Sequence, residues 1–139
     1  MRRVPVIELD MILALLNRAD KLHAAASRLF EKIISGELSN VSIPASAYLE
    51  YELVMRSRGY SSRGIVDDII SLRSIPGLGE VPLTSSVLLS ASRLREAYGL
   101  TYFDSLHASS ALHHDGAIIS VDGDYRRVPM LKVMDPREL

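Results

Sequence analysis

The sequence predicts an α/β fold in three layers, with helices on both faces of a central, mostly parallel sheet. Three observations carry that expectation. Short apolar runs of strand length alternate with stretches that repeat with helical period. The connections between successive strands are too long for hairpins, so the chain must cross over and return in parallel. Apolar residues make up 47% of the chain, enough to build a core. A length of 139 residues fits a single domain spanning 1–139.

The elements follow in order. Residues 4–9 read as a first strand, with Val6 and Ile7 both apolar and suited to burial on two faces. Residues 11–17 form a short, nearly all-apolar helix with Asp10 as its N-cap. Asp20 is expected to cap a helix over 21–36, where Leu22, Ala25, Ala26, Leu29 and Ile33 make a helical stripe and Gly36 a stop. A short strand covers 40–43, and Pro44 opens a helix that runs to Arg58. Ser61 and Ser62 start another helix through Ser74. The turn-rich stretch 75–82 holds a brief strand. A helix then runs from Ser85 or Ser86 to the Tyr98-Gly99 boundary, and Asp104 caps one that reaches His114. Strands at 117–121 and 131–133 complete the sheet.

Composition removes several chemistries. The chain has no cysteine, which excludes disulfides, thiolate catalysis and Cys-based zinc sites, and suits the cytoplasm. Sixteen basic residues against 17 acidic ones are not the signature of a protein that coats duplex nucleic acid. Local basic groups remain: Arg56, Arg58 and Arg63 lie close in sequence, and Arg126 and Arg127 are adjacent, as candidate phosphate contacts. The basic start Met1-Arg2-Arg3 precedes an apolar run, but Glu8 and Asp10 break it too early for a signal peptide. No run approaches the roughly 18 apolar residues of a membrane span. Gly-rich phosphate loops, HExxH and GxSxG are absent.

Acidic residues fall where strands end. Glu8 and Asp10 close the first strand, Glu50 lies in the helix after the second, Asp104 opens the late helix, and Asp122 and Asp124 follow the strand Ala117-Ile118-Ile119-Ser120-Val121. In open parallel sheets the ligand site lies beyond the carboxyl ends of the strands. Five of the acids also have an ordinary structural explanation: Asp10 and Asp104 as helix caps, Glu50 as a surface group, Asp122 and Asp124 as turn residues. A solvated strand-end charge explains Glu8 poorly, set as it is in Val6-Ile7-Glu8-Leu9. His107 reads as a packing or hydrogen-bonding residue rather than a ligand, and Ser120 as an orienting neighbour. Converging carboxylates repel one another, and a hard divalent cation relieves that repulsion through oxygen ligands.

Four stretches in this order resemble the PIN-domain family, especially its VapC-type toxins. They are Val6-Ile7-Glu8-Leu9-Asp10-Met11-Ile12-Leu13-Ala14-Leu15-Leu16-Asn17, Leu49-Glu50-Tyr51-Glu52-Leu53-Val54, Tyr102-Phe103-Asp104-Ser105-Leu106-His107-Ala108 and Ile119-Ser120-Val121-Asp122-Gly123-Asp124-Tyr125. The resemblance implies a cytoplasmic endoribonuclease that uses Mg²⁺ or Mn²⁺ to hydrolyse RNA, paired with a protein antitoxin and forming a homodimer. The apolar helices 11–17 and 65–72 are candidate dimer surfaces. The resemblance places Glu50, Asp104 and Asp122 at the family's acidic positions, Asp124 at an accessory one, and Ser120 at its small hydroxyl position. It departs at the first strand, where Glu8 stands at the usual aspartate and Asp10 two places on. The expected metal ligands are therefore Glu8, Asp10, Glu50, Asp104 and Asp122, with Asp124 joining them in catalysis. The Glu8 departure leaves a second reading, a weakened or inactive domain that binds RNA or protein. A phosphatase would want a DxDx[TV] motif, which Glu8-Leu9-Asp10-Met11 does not supply, and a receiver domain would want an acceptor aspartate that Ser42-Ile43-Pro44 lacks.

Overall fold

The computed structural model describes residues 3–139. Five strands, β1 (Val6–Ile7), β2 (Ser42–Pro44), β3 (Gly79–Val81), β4 (Ala117–Ile119) and β5 (Lys132–Met134), form one sheet in the order β3-β2-β1-β4-β5. Every neighbouring pair is parallel. The helices are α1 (Leu9–Leu16), α2 (His23–Ser35), α3 (Ala45–Ser57), α4 (Ser62–Arg73), α5 (Ser85–Tyr98) and α6 (Tyr102–Leu112), with 3-10 turns at Gly123–Arg127 and Pro136–Glu138.

Strand alternation divides the core in two. Ile7 and Ile119 pack with apolar residues of α1, α2, α3 and α4. Val6 and Ile118, their chain neighbours, face the other way into a cluster with Leu94 of α5, Ala108 and Ala111 of α6, and Tyr125. The sheet is thus covered on both faces, which explains why its strands carry apolar residues at consecutive positions. None of the described helices is long and apolar enough to cross a membrane.

The chain runs outward from β1 through β2 to β3, then returns to lay β4 against the other side of β1. The strand order therefore reverses between β1 and β4, and in sheets of this kind ligand sites lie at the carboxyl ends of the strands beside such a reversal. Register fixes what meets there. Ile7 pairs with Ile119, so Glu8 and Ser120, each one residue further on, emerge side by side.

Several helix starts differ from the sequence expectation, for local reasons. The first strand ends at Ile7, so Glu8 takes the N-cap position of α1 in extended conformation, and Asp10 lies exposed in the first turn instead of capping. Asp20 lies two residues before the N-cap Leu22, in a turn: its side chain accepts from the Leu22 N–H at 2.8 Å, and α2 begins at His23. Pro44 ends β2 and is the N-cap of α3 rather than its first residue. Asp104 is the third residue of α6, because Thr101 caps that helix and accepts from the Asp104 N–H at 3.4 Å. The strand expected over 117–121 pairs only to Ile119, although the Ser120 N–H still reaches the Met134 carbonyl at 3.0 Å. Gly36 ends α2 as expected, with a φ of 84° that glycine adopts without strain.

Candidate active site

Three of the six sequence-predicted acids converge. Asp104 comes from the first turn of α6, while Asp122 and Asp124 come from the turn after β4. One carboxylate oxygen from each lies within 4.8 Å of the others, and all three residues are half-buried. The turn holds its own shape: the Asp122 carboxylate accepts from the Asp124 N–H at 2.9 Å, and the Asp122 N–H donates to Ser120 Oγ at 2.9 Å. Burial raises the Asp104 pKa above the ordinary aspartate value, and the Asp122 charge adds to that. Hydrogen bonds from Thr101 and Tyr125 and the nearby His107 pull the other way.

Glu8 is held beside this cluster but differently. It is only 3% exposed, and Ser120 Oγ donates to its Oε1 at 2.8 Å. Burial pushes its pKa up to about 8, and the charge of neighbouring Asp10 adds to the effect. Hydrogen bonds with Tyr125 and Ser120 oppose it. The fully buried Tyr125 lies between Glu8 and Asp104 and donates to Asp104 Oδ1 at 3.1 Å. Burial and the two flanking carboxylates raise the Tyr125 phenol well above its usual range, so it keeps its proton. That one phenol proton faces two acceptors, and the neutral form of Glu8 relieves the shortage.

Glu50 projects from α3 and is about one-quarter exposed. Its Oε1 lies 2.8 Å from Nε2 of His107, which stands one helical turn beyond Asp104 on α6. Glu50 thus borders the three-acid group through His107 rather than joining it. Asp10 is exposed and interacts with Glu8. Of the arginines expected to meet phosphate, Arg56 pairs with Glu52 at 3.1 Å. Arg127 pairs with Asp124 at 2.7 Å and also donates to the Tyr98 and Gly99 carbonyls. Arg58 and Arg126 are exposed.

Two contributors escape sequence reasoning. Tyr125 sits in the quoted Gly123-Asp124-Tyr125 stretch, but nothing local signals that its hydroxyl bridges two acids from other segments. Ser46 gives no signal either, and is fully buried against His107 Nδ1 at 2.8 Å.

Hard oxygen donors at this spacing suit a divalent cation with retained waters, and among the described residues the group holds carboxylates alone. The PIN-domain model matches residues 10–131. The chain belongs to the PIN-domain family. The match leaves Glu8 outside it and covers Asp10, Glu50 and the three-acid group. Solved structures share the PIN-domain fold across nearly the whole chain. VapBC2 from Rickettsia felis, bound to a DNA fragment from its promoter, is 14% identical with a TM-score of 0.69, covering 95% of this chain and 98% of its own. FitAcB from Neisseria gonorrhoeae is 13% identical with a TM-score of 0.70, covering 98% and 100%. VapC20 from Mycobacterium tuberculosis, a toxin that cleaves the sarcin-ricin loop, is 19% identical with a TM-score of 0.66, covering 92% and 97%. At these identities the likeness is one of fold. No curated protein matches this PIN domain in sequence.

Proposed function

We propose that this PIN domain is a divalent-metal-dependent endoribonuclease, the toxin of a toxin–antitoxin pair. The observation that supports it most is the convergence of Asp104, Asp122 and Asp124 where the strand order reverses. Mg²⁺ or Mn²⁺ held there would lower the pKa of a bound water and offset charge on a phosphodiester.

The protein's own residues have separable tasks. Asp104 and Asp122 supply oxygens from two segments that only the fold brings together. Asp124 adds a third, with one oxygen paired to Arg127. Glu50 is linked to the same helix as Asp104 by one oxygen on His107. Ser120 steadies both sides, donating to Glu8 and accepting from the Asp122 N–H. Tyr125 fixes the Asp104 carboxylate from the buried side. Glu8 and Asp10, taken at the sequence level as ligands, serve in this reading as a buried support and its exposed neighbour. An antitoxin and a second copy of the chain are the protein partners this reading carries. The exposed Val66 and Ile70 on α4 suit such a contact, whereas most of α1 is spent in the core.

A second reading has its own observation. The acid at the end of β1 is buried, hydrogen-bonded and inclined to be neutral, which favours a domain that kept the fold and weakened its chemistry. Incubating RNA with the purified protein and Mn²⁺ or Mg²⁺, with Asp104→Asn as control, separates the two. The nuclease reading expects metal-dependent cleavage that the variant loses. Equal cleavage by both proteins sinks the proposed site, and no cleavage by either leaves the binding-module reading.

A further inference from the structure

We infer that His107 is a positioning residue for Glu50, fixing the direction in which that carboxylate borders the three-acid group. The functional half of this inference rests on the nuclease reading above. Ser46 and Glu50 are four residues apart on α3 and share a face of that helix. The His107 imidazole, from α6, is clamped between them, 2.8 Å from Ser46 Oγ through Nδ1 and 2.8 Å from Glu50 Oε1 through Nε2. Phe103 stacks on the same ring with centroids 6.2 Å apart and planes 28° apart, which closes another side.

The hydrogen-bond logic is complete. With the Nε2–H donating to the Glu50 carboxylate oxygen, the Ser46 hydroxyl completes the ring's hydrogen bonds by donating to Nδ1. His107 is 1% exposed and Ser46 is fully buried. A buried imidazole is costly as mere filling, where an apolar residue would serve, and it is tolerated because both nitrogens are bonded. The same burial rules out Ser46 as a nucleophile, since no substrate reaches its hydroxyl. Glu50 is left with one oxygen tied to His107 and Oε2 without a protein hydrogen bond among the described residues. A histidine bonded to a metal-site carboxylate in this way orients the ligand without touching the metal.

The test measures Mn²⁺ affinity by calorimetry without RNA, alongside thermal melting, for His107→Leu, His107→Gln and Ser46→Ala. Each is made in the parent and in a Glu50→Gln background. Positioning through Glu50 expects His107→Leu to weaken Mn²⁺ binding roughly 10- to 100-fold in the parent. In the Glu50→Gln background the same change should shift affinity less than about twofold, because the group it acts through is already altered. His107→Gln, whose amide keeps a donor toward Glu50, should recover much of the loss. Ser46→Ala should show a smaller loss of the same kind, and it carries the test with His107→Gln if His107→Leu does not fold. Equal losses in both backgrounds, or no loss in the parent, overturn the inference. A parent protein that binds no Mn²⁺ overturns the nuclease reading instead. Nitrogen-15 spectra of the metal-free protein then decide the geometry: an Nε2–H signal for His107 that moves on Glu50→Gln upholds the clamp, and an unmoved signal removes it.

Discussion

At the carboxyl edge of the sheet, two sets of acids are held in opposite ways. Asp104, Asp122 and Asp124 are half-buried and face one another with oxygens in mutual reach. Glu8 and Glu50 stand outside this group, each gripped by a side chain: Ser120 holds Glu8, and His107 holds Glu50. The open group carries repulsion that a cation would relieve. All five acids have an oxygen bonded to the protein; the flanking two differ in standing outside the group whose oxygens converge, and Glu8 has gone further by favouring its neutral form. Acid content alone therefore does not make a ligand. What matters is whether the fold brings carboxylate oxygens within reach of one another.

The largest effect should come from the open group. Asp122→Asn removes a charge and a converging oxygen, and RNA cleavage in Mn²⁺ should fall roughly a thousandfold or more while the fold persists by circular dichroism. A loss below tenfold would mean the open group is not where the chemistry sits.

The next effect belongs to the flank. Burial raises the Glu8 pKa from 4.5 to about 8, so the folded state keeps a proton that the unfolded chain releases between those values. This contribution is fully present below pH 4.5 and is lost as pH rises through 8, with an upper bound on the order of 5 kcal/mol. Metal-free protein should therefore melt at progressively lower temperature from pH 5 to 8.5, and Glu8→Gln should flatten that slope. An identical slope in the variant would show that Glu8 ionises freely.

Tyr125→Phe keeps the ring that fills the core and removes the hydroxyl between the two sets. Denaturant titration should show a loss of about 1–2 kcal/mol, the usual cost of leaving buried acceptors without their donor. The Asp104 pKa should also rise, because the hydroxyl lowers it, and carboxyl carbon NMR reads that shift directly. The smallest effect is expected for Arg127→Ala. The pair with Asp124 is about half-exposed on both sides, so stability should change by less than about 1 kcal/mol. Mn²⁺ affinity should rise a few-fold as the Asp124 carboxylate is released, and an unchanged affinity would remove Asp124 from the open group.

The fold was legible because its signals are local and repeated. Consecutive apolar residues such as Val6-Ile7 and Ala117-Ile118-Ile119 mark strands covered on both faces, and the long connections between them enforce parallel crossovers. Helix starts were less legible. Thr101 and Asp104 are both competent caps, and only the backbone geometry decides that Thr101 takes the role while Asp104 turns toward the acids. The site was legible in part for a related reason. The positions of Asp104, Asp122 and Asp124 beside strand or helix ends can be read along the chain. The partner that ties Glu50 to His107, 57 residues away, cannot.

What the sequence determined by itself is the layered parallel fold and the set of acids at its carboxyl edge, since both follow from periodicity and from where strands end. Only the tertiary structure decided which of those acids converge. The register that sets Ile7 opposite Ile119 delivers Glu8 to Ser120, and the packing of α6 against α3 delivers His107 to Ser46 and Glu50. A carboxylate's charge and reach depend on its burial and hydrogen-bond partners, and those partners come from segments that meet only in the folded chain.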